Sequence, residues 1–300
     1  MKIGIFGGDT AGRTIDAVVA DARAADADGF TSYALPQIFA LDAMGVLAVV
    51  GREVPRIALA TAVVPTYGRH PLTMAQQALT VQAASGGRFV LGIGLSHQLV
   101  IENMFGLSFE KPVRHMREYL SVLMPLIHDG KASCKGEVIS TDATIGIEPR
   151  IPCPVLVAAL GSQMLKLAGT VTDGTITWMT GPATLASHTV PIIAGAAKEA
   201  GRPAPQILTS LPICVTNDVA AARERAARDF RMYGFLPSYR AMLDREGAEG
   251  PADVAIVGDE GTVERQVRAL ADAGVTEYVA SIYGSREERA QTRALLKSML

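Results

Sequence analysis

Cysteine is scarce in this chain, with three residues among 300. Cys134, Cys153 and Cys214 are widely spaced, form no Cys-x-x-Cys pair and have no histidine beside them at metal-ligand spacing, so neither a disulfide framework nor a zinc site is supported. A reducing compartment is the simple expectation. Excess charge of one sign is also missing: 28 Lys and Arg stand against 30 Asp and Glu, interspersed, for a net charge of -2. No basic stripe exists to neutralise a phosphate backbone, and nucleic acid is not an expected partner. Long apolar runs are absent as well. No window approaches the ~18 uninterrupted apolar residues of a membrane span, and Ile3 to Phe6 is too short for a signal-peptide core. A cytoplasmic protein without a membrane partner is expected. Histidine gives little. His115 and His128 lie 13 apart on one expected helix, and His70 and His188 are isolated, so no metal is expected.

What is present is a composition that can bury one large core, with 49% apolar and 19% charged residues. Short β-rich runs alternate with segments of helical period along the whole chain, the pattern of parallel strands with crossover helices. Strands are expected at 2–6, 31–35, 56–63, 89–93, 155–159, 174–178, 207–215 and 277–282. Helices are expected at 14–27, 42–50, 71–84, 112–127, 163–168, 183–199, 219–228 and 262–273, with a terminal helix at 286–299. Pro71 and Pro112 suit a first helical position, and Gly29 suits a helix end. Eight strand–helix pairs favour a single (β/α)8 TIM barrel spanning residues 1–300, because closure removes both sheet edges. An open Rossmann-type sheet is the runner-up. Two stretches interrupt the alternation and read as barrel insertions: about 131–151, with the look of a hairpin, and about 229–251, rich in aromatic and then charged residues.

In a barrel the site forms in the loops after the strands. Gly161-Ser162 precedes a helix, so either backbone N–H groups and the Ser162 hydroxyl hold a phosphate there, or Ser162 is an ordinary N-cap. Gly92-Ile93-Gly94 lacks the third glycine of a dinucleotide fingerprint and reads equally as a strand end. His97, four residues past a strand, is placed to act as an acid or base, or simply to be solvated. Ile38, Phe39, Tyr67, Leu95, Trp178 and Met179 give the mouth an apolar lining suited to a flat ring and an uncharged substrate. Met232, Tyr233, Phe235, Leu236 and Tyr239 either form a lid or pack the second insertion onto the barrel.

The run Ser85-Gly86-Gly87-Arg88-Phe89-Val90-Leu91-Gly92-Ile93-Gly94 resembles the luciferase-like monooxygenase signature. Thr61-Ala62-Val63-Val64-Pro65, Arg69-His70-Pro71, and Pro154-Val155-Leu156-Val157-Ala158 with Ala168-Gly169 and Asp173-Gly174 are similar to neighbouring parts of that family. The resemblance covers nearly the whole chain. With its Trp178-Met179-Thr180-Gly181-Pro182 stretch and no long insertion, the chain is most similar to the actinobacterial branch that uses the deazaflavin coenzyme F420.

The resemblance implies a cofactor ring at the barrel mouth against a third-strand bulge, often with a non-proline cis peptide, here at Thr61, Ala62 and Val63. It implies further cofactor contacts from Gln37, Gly94, Leu95, Ser96 and Trp178, and a phosphate near Ala159, Gly161, Ser162 and Gln163. His97 falls where related sugar-phosphate dehydrogenases carry a proton donor, and Tyr67 is a second candidate. Relatives that oxidise alcohols often carry His or Asp after the second strand, where this chain has Pro36-Gln37-Ile38. Hydride transfer to an activated C=C or C=N bond is therefore favoured. The competing readings are an FMN-dependent two-component monooxygenase and a flavin-binding protein without catalysis. A homodimer is expected from the family.

Overall fold

Residues 1–300 are described by a computed structural model, in which strands and helices alternate throughout. The first part comprises β1 (Lys2–Phe6), α1 (Ile15–Asp28), β2 (Ser32–Leu35), α2 (Ala43–Glu53), β3 (Ala58–Thr61), β4 (Val64–Pro65), α3 (Pro71–Ala84) and β5 (Phe89–Gly94). There follow α4 (Gln98–Asn103), α5 (Pro112–His128), β6 (Lys131–Lys135), β7 (Ser140–Thr144), β8 (Val155–Ala158), α6 (Ser162–Val171) and β9 (Gly174–Trp178). A helical stretch then runs through α7 (Pro182–Thr184), a π turn (Leu185–Thr189) and α8 (Val190–Glu199). The remainder is β10 (Gln206–Ser210), β11 (Pro212–Val215), α9 (Val219–Asp229), a 3-10 turn (Arg231–Gly234), α10 (Pro237–Glu246), β12 (Ile256–Gly258), α11 (Glu260–Asp272), β13 (Glu277–Ile282) and α12 (Arg286–Ser298).

The sheet closes on itself as the strand pattern requires. β1 pairs in parallel with both β2 and β13, and the circuit continues through β3, β5, β8, β9 and β10 back to β13. Alternate residues face inward. Ala34, Ala60, Leu156, Ile176, Leu208 and Val279 form the barrel interior, and a much larger cluster fills the shell between strands and helices. Helix starts follow local chemistry: Thr14 caps α1, Asp42 caps α2, Asp259 caps α11, and Ser285 with Glu288 forms a capping box on α12. Gly29 ends α1 at φ 91°, a left-handed conformation open to glycine without strain.

Several elements differ from the sequence expectation. The strand expected over 207–215 breaks at Leu211, whose carbonyl accepts from the Ser281 N–H at 3.2 Å and the Tyr278 hydroxyl at 3.0 Å. Beyond the break β11 pairs with β12, a strand of three residues too short for alternation to reveal. The strand expected over 56–63 stops at Thr61 and resumes as β4. In agreement with expectation, residues 131–151 hold the antiparallel hairpin β6–β7, whose turn is pinned by Glu118 of α5 accepting N–H groups from Glu137, Val138 and Ile139. Residues 229–251, read from sequence only as an insertion, contain α10. No helix is long and apolar enough to cross a membrane. Cys153 and Cys214 are buried, and burial pushes their thiols up to about 12 and about 11, which leaves them as small apolar fillers.

Candidate functional site at the barrel mouth

One wall of the mouth is built by a bulge. Ala60 pairs with Val90, yet Val64 pairs with Ile93, so the β3–β4 side carries one residue more than β5. Thr61 closes the gap: its hydroxyl donates to the Gly92 carbonyl at 2.8 Å and accepts the Gly92 N–H at 2.9 Å. The Ala62–Val63 peptide is cis, at the place the family resemblance implied. The bulge is tied on its other flank, where the Ala62 N–H donates to the Leu35 carbonyl at 2.8 Å and the Gln37 N–H to the Val63 carbonyl at 3.3 Å. Ala62, Val63 and Ala158 pack on the barrel interior and present small side chains. Gly94 lies behind them, since a β-carbon there would sit 2.8 Å from Val63 and 3.1 Å from Ala158.

A second wall is aromatic. Phe6 stacks on Trp178 with centroids 5.7 Å apart, Trp178 meets Tyr233 edge-on at 5.7 Å, Tyr233 meets Tyr239 at 5.1 Å, and Tyr239 lies 5.8 Å from His97. This ribbon runs from the end of β1, across the second insertion, to the loop after β5. Burial pushes the Tyr233 and Tyr239 phenols up and the His97 imidazole down. Glu246 fastens the insertion to the loop after β9, accepting N–H groups from Ala183 at 3.1 Å and Thr184 at 2.7 Å.

Two polar atoms at this end of the barrel are buried without a partner: the Trp178 Nε1 and the Tyr67 hydroxyl. A buried donor without an acceptor is costly and calls for a partner such as a water or a ligand. The Tyr67 ring is sandwiched on His115, 4.0 Å away at 5°, and His115 Nε2 lies 3.1 Å from the Thr66 hydroxyl. Ser96 and Met179 adopt φ of 60° and 54°, an uncommon left-handed conformation just past β5 and β9, where the chain turns over the mouth.

The expected site residues divide accordingly. His97, Leu95, Ser96, Ala62, Val63 and Trp178 come together around the mouth, half-buried. Thr61 is fully buried and committed to Gly92, so it holds the bulge and does not line the cavity. Ala159 is fully buried in the outer shell core, and its neighbour Ala158 faces inward, a one-residue difference in strand parity. Both ends of the Gln37 amide are occupied, accepting from the Ala43 N–H at 2.7 Å and donating to the Ile38 carbonyl at 3.2 Å. Gly161, Ser162 and Gln163 are exposed at the start of α6, with Gly161 as the N-cap. Ser162 is thus the first helical residue, and the N-cap reading of its side chain is overturned. Of the lid candidates, Tyr233 and Tyr239 belong to the aromatic ribbon, whereas Met232 and Phe235 are 63% and 70% exposed. Glu246 and His188 carried no sequence signal, because their partners are backbone atoms about 60 and 28 residues away.

Comparison with known proteins bears on the family and the fold. The luciferase-like monooxygenase family model matches residues 1–288. An F420-dependent glucose-6-phosphate dehydrogenase of Nakamurella multipartita is 30% identical over 228 residues, covering 73% of this chain and 65% of that protein. A 5,10-methylenetetrahydromethanopterin reductase of Methanolobus tindarius is 25% identical over 278 residues, covering 83% of this chain and 85% of the relative. The structure of an F420-dependent tetrahydromethanopterin reductase from Methanopyrus kandleri superposes with a TM-score of 0.81 at 21% identity, over 99% of this chain and 96% of that one. The closed barrel, the third-strand bulge and the match along almost the entire length together make this chain an enzyme of the luciferase-like monooxygenase family.

Proposed function

We propose that the chain is a coenzyme F420-dependent oxidoreductase acting on a small, largely apolar substrate, with reduction of an activated C=C or C=N bond as its reaction. The observation that carries this reading is the small wall of Ala62, Val63 and Ala158 together with the aromatic ribbon that starts at Phe6 beside it, at the end of the barrel that also holds two orphaned buried donors. A flat ring fits against such walls, and its polar edge satisfies the donors. When bound, the deazaflavin supplies or accepts the hydride. The named relatives, two of them F420-dependent by name, support the same cofactor.

The chain's own residues perform the rest. The bulge backs the ring, and the N–H groups at the start of α6, unpartnered within the helix, suit its phosphate. His97 gives the proton to the substrate from its imidazolium form, which burial makes a stronger acid than an exposed histidine. The arginines of the loops after β1 and β4 do not favour a charged substrate: Arg13 is paired with Asp21 at 3.2 Å and Arg69 with Asp42 at 2.5 Å. An uncharged molecule therefore suits the mouth better than a sugar phosphate. Calorimetric titration with F420 and with FMN in parallel tests the cofactor. Tighter binding of F420 is expected; a preference for FMN would move the assignment to a two-component monooxygenase, and binding of neither would refute both.

A further inference from the structure

We propose that His188 is a positioning residue that sets the direction of the ligand-facing end of α6. Its imidazole Nε2 donates to the Leu160 carbonyl at 2.8 Å, and the residue is only 6% exposed, which limits competition from water for that bond. Leu160 lies between the last residue of β8, Ala158, and Gly161, the N-cap of α6. Gly161 has no side chain with which to cap, whereas the starts of α1, α2, α9, α11 and α12 are each held by their own Thr, Asp or Ser. The starts of α5 and α10 also lack a side-chain cap but carry a proline in the first turn, whereas at α6 the orientation is supplied from another helix.

The π turn is what brings the imidazole there. The Val190 N–H reaches back to the Leu185 carbonyl, five residues away, so the helix carries one residue beyond the α-helical count. One residue turns an α-helix by ~100°, and without the extra residue position 188 would face elsewhere. By holding Leu160, His188 fixes the path of the 159–161 turn and hence where the amides of Ser162, Gln163 and Met164 point. It touches neither cofactor nor substrate, and its effect is confined to whatever those amides bind.

This inference rests on the proposed placement of the cofactor phosphate at α6, and the test separates the two. Dissociation constants are measured by calorimetry for F420 and for its phosphate-free deazaflavin counterpart. Wild type is expected to prefer the phosphate-bearing form by at least ~10-fold, on the scale of a charge-assisted hydrogen bond. His188→Leu is expected to lower that preference ~10-fold while leaving the phosphate-free affinity within twofold, and His188→Gln, which keeps an N–H donor, restores most of it. If His188→Leu does not fold, His188→Asn, whose shorter amide falls short of Leu160, takes its place. Equal losses on both ligands, or an unchanged preference, would overturn the role of His188 alone. A wild type without any phosphate preference would overturn the phosphate placement and the role together.

Discussion

Replacing Thr61 by valine keeps the shape of the side chain and removes its hydroxyl. That oxygen both donates to Gly92 and accepts from it, in a place with no solvent access. After the change the Gly92 N–H is left buried without a partner, at a cost of about 1 to 3 kcal/mol, and its carbonyl loses one of two donors, keeping the Val64 N–H of the β4–β5 ladder, at a further cost of about 1 kcal/mol. Partial relaxation of the bulge offsets some of this, so a loss of about 3 kcal/mol is expected for Thr61→Val. For a chain of this size that corresponds to a fall in Tm of roughly 6 °C. Thr61→Ser keeps the hydroxyl and loses one methyl, with an expected loss of about 1 kcal/mol. The assay is urea unfolding of the three proteins, comparing midpoints at unchanged slope. Cofactor affinity should fall with stability in the valine variant, because the Ala62–Val63 wall is no longer pinned. If Thr61→Val and Thr61→Ser have the same stability within about 0.5 kcal/mol, the hydroxyl does not hold the bulge and the reasoning fails.

Reductive turnover should decline as pH rises, with a limb inflecting below the ordinary histidine value of 6.5, since burial disfavours the His97 imidazolium; a pH–rate profile in which His97→Ala keeps that limb removes His97 from proton transfer. His97 and His115 are both held neutral by burial, so the unfolded chain takes up protons near pH 6.5 that the folded chain refuses. Stability should therefore rise with pH and be lost as pH falls from about 7 towards 5, and urea midpoints across that range, flattened in part by His115→Gln, check the sign. Glu288 works at lower pH. Its carboxylate, held near 2 despite partial burial by the Ser285 N–H and Arg225, contributes stability above about pH 5 that is lost as pH falls through about 2. Glu246→Ala should free the second insertion from the loop after β9, seen as faster proteolytic nicking within 230–250 and a stability loss of about 1 kcal/mol; unchanged nicking would show that packing alone holds α10.

The barrel was legible because its signals are local. Each strand of the circuit begins in a short β-rich run, and each long helix except α6 has its cap or proline in the adjacent residues. β12 and α10 escaped because three residues are too few to show a period, and because an aromatic-rich insertion looks alike whether coiled or helical. The site was legible to the level of the loop and not of the side chain. Ala158 and Ala159 are adjacent in sequence, and which of them faces inward depends on register set by β5 and β9. Thr61 was rightly placed at the bulge, but that its hydroxyl faces Gly92 follows from pairing with a strand 31 residues away. His188 read as an isolated histidine because a π turn leaves no mark in hydrophobic periodicity.

Trp178 is the only tryptophan in the chain, and it stands at the barrel mouth proposed above to take the cofactor. Its indole is sandwiched between Phe6 and the edge of Tyr233, with a nitrogen that lacks an acceptor. Ultraviolet emission from this protein is therefore a single-site optical signal, uncontaminated by other indoles. A coloured ring entering the mouth would drain that emission by energy transfer, whereas withdrawal of the second insertion would expose the indole to water and shift its colour to longer wavelength. Ring entry and lid motion can thus be timed separately in an unlabelled, unmodified molecule.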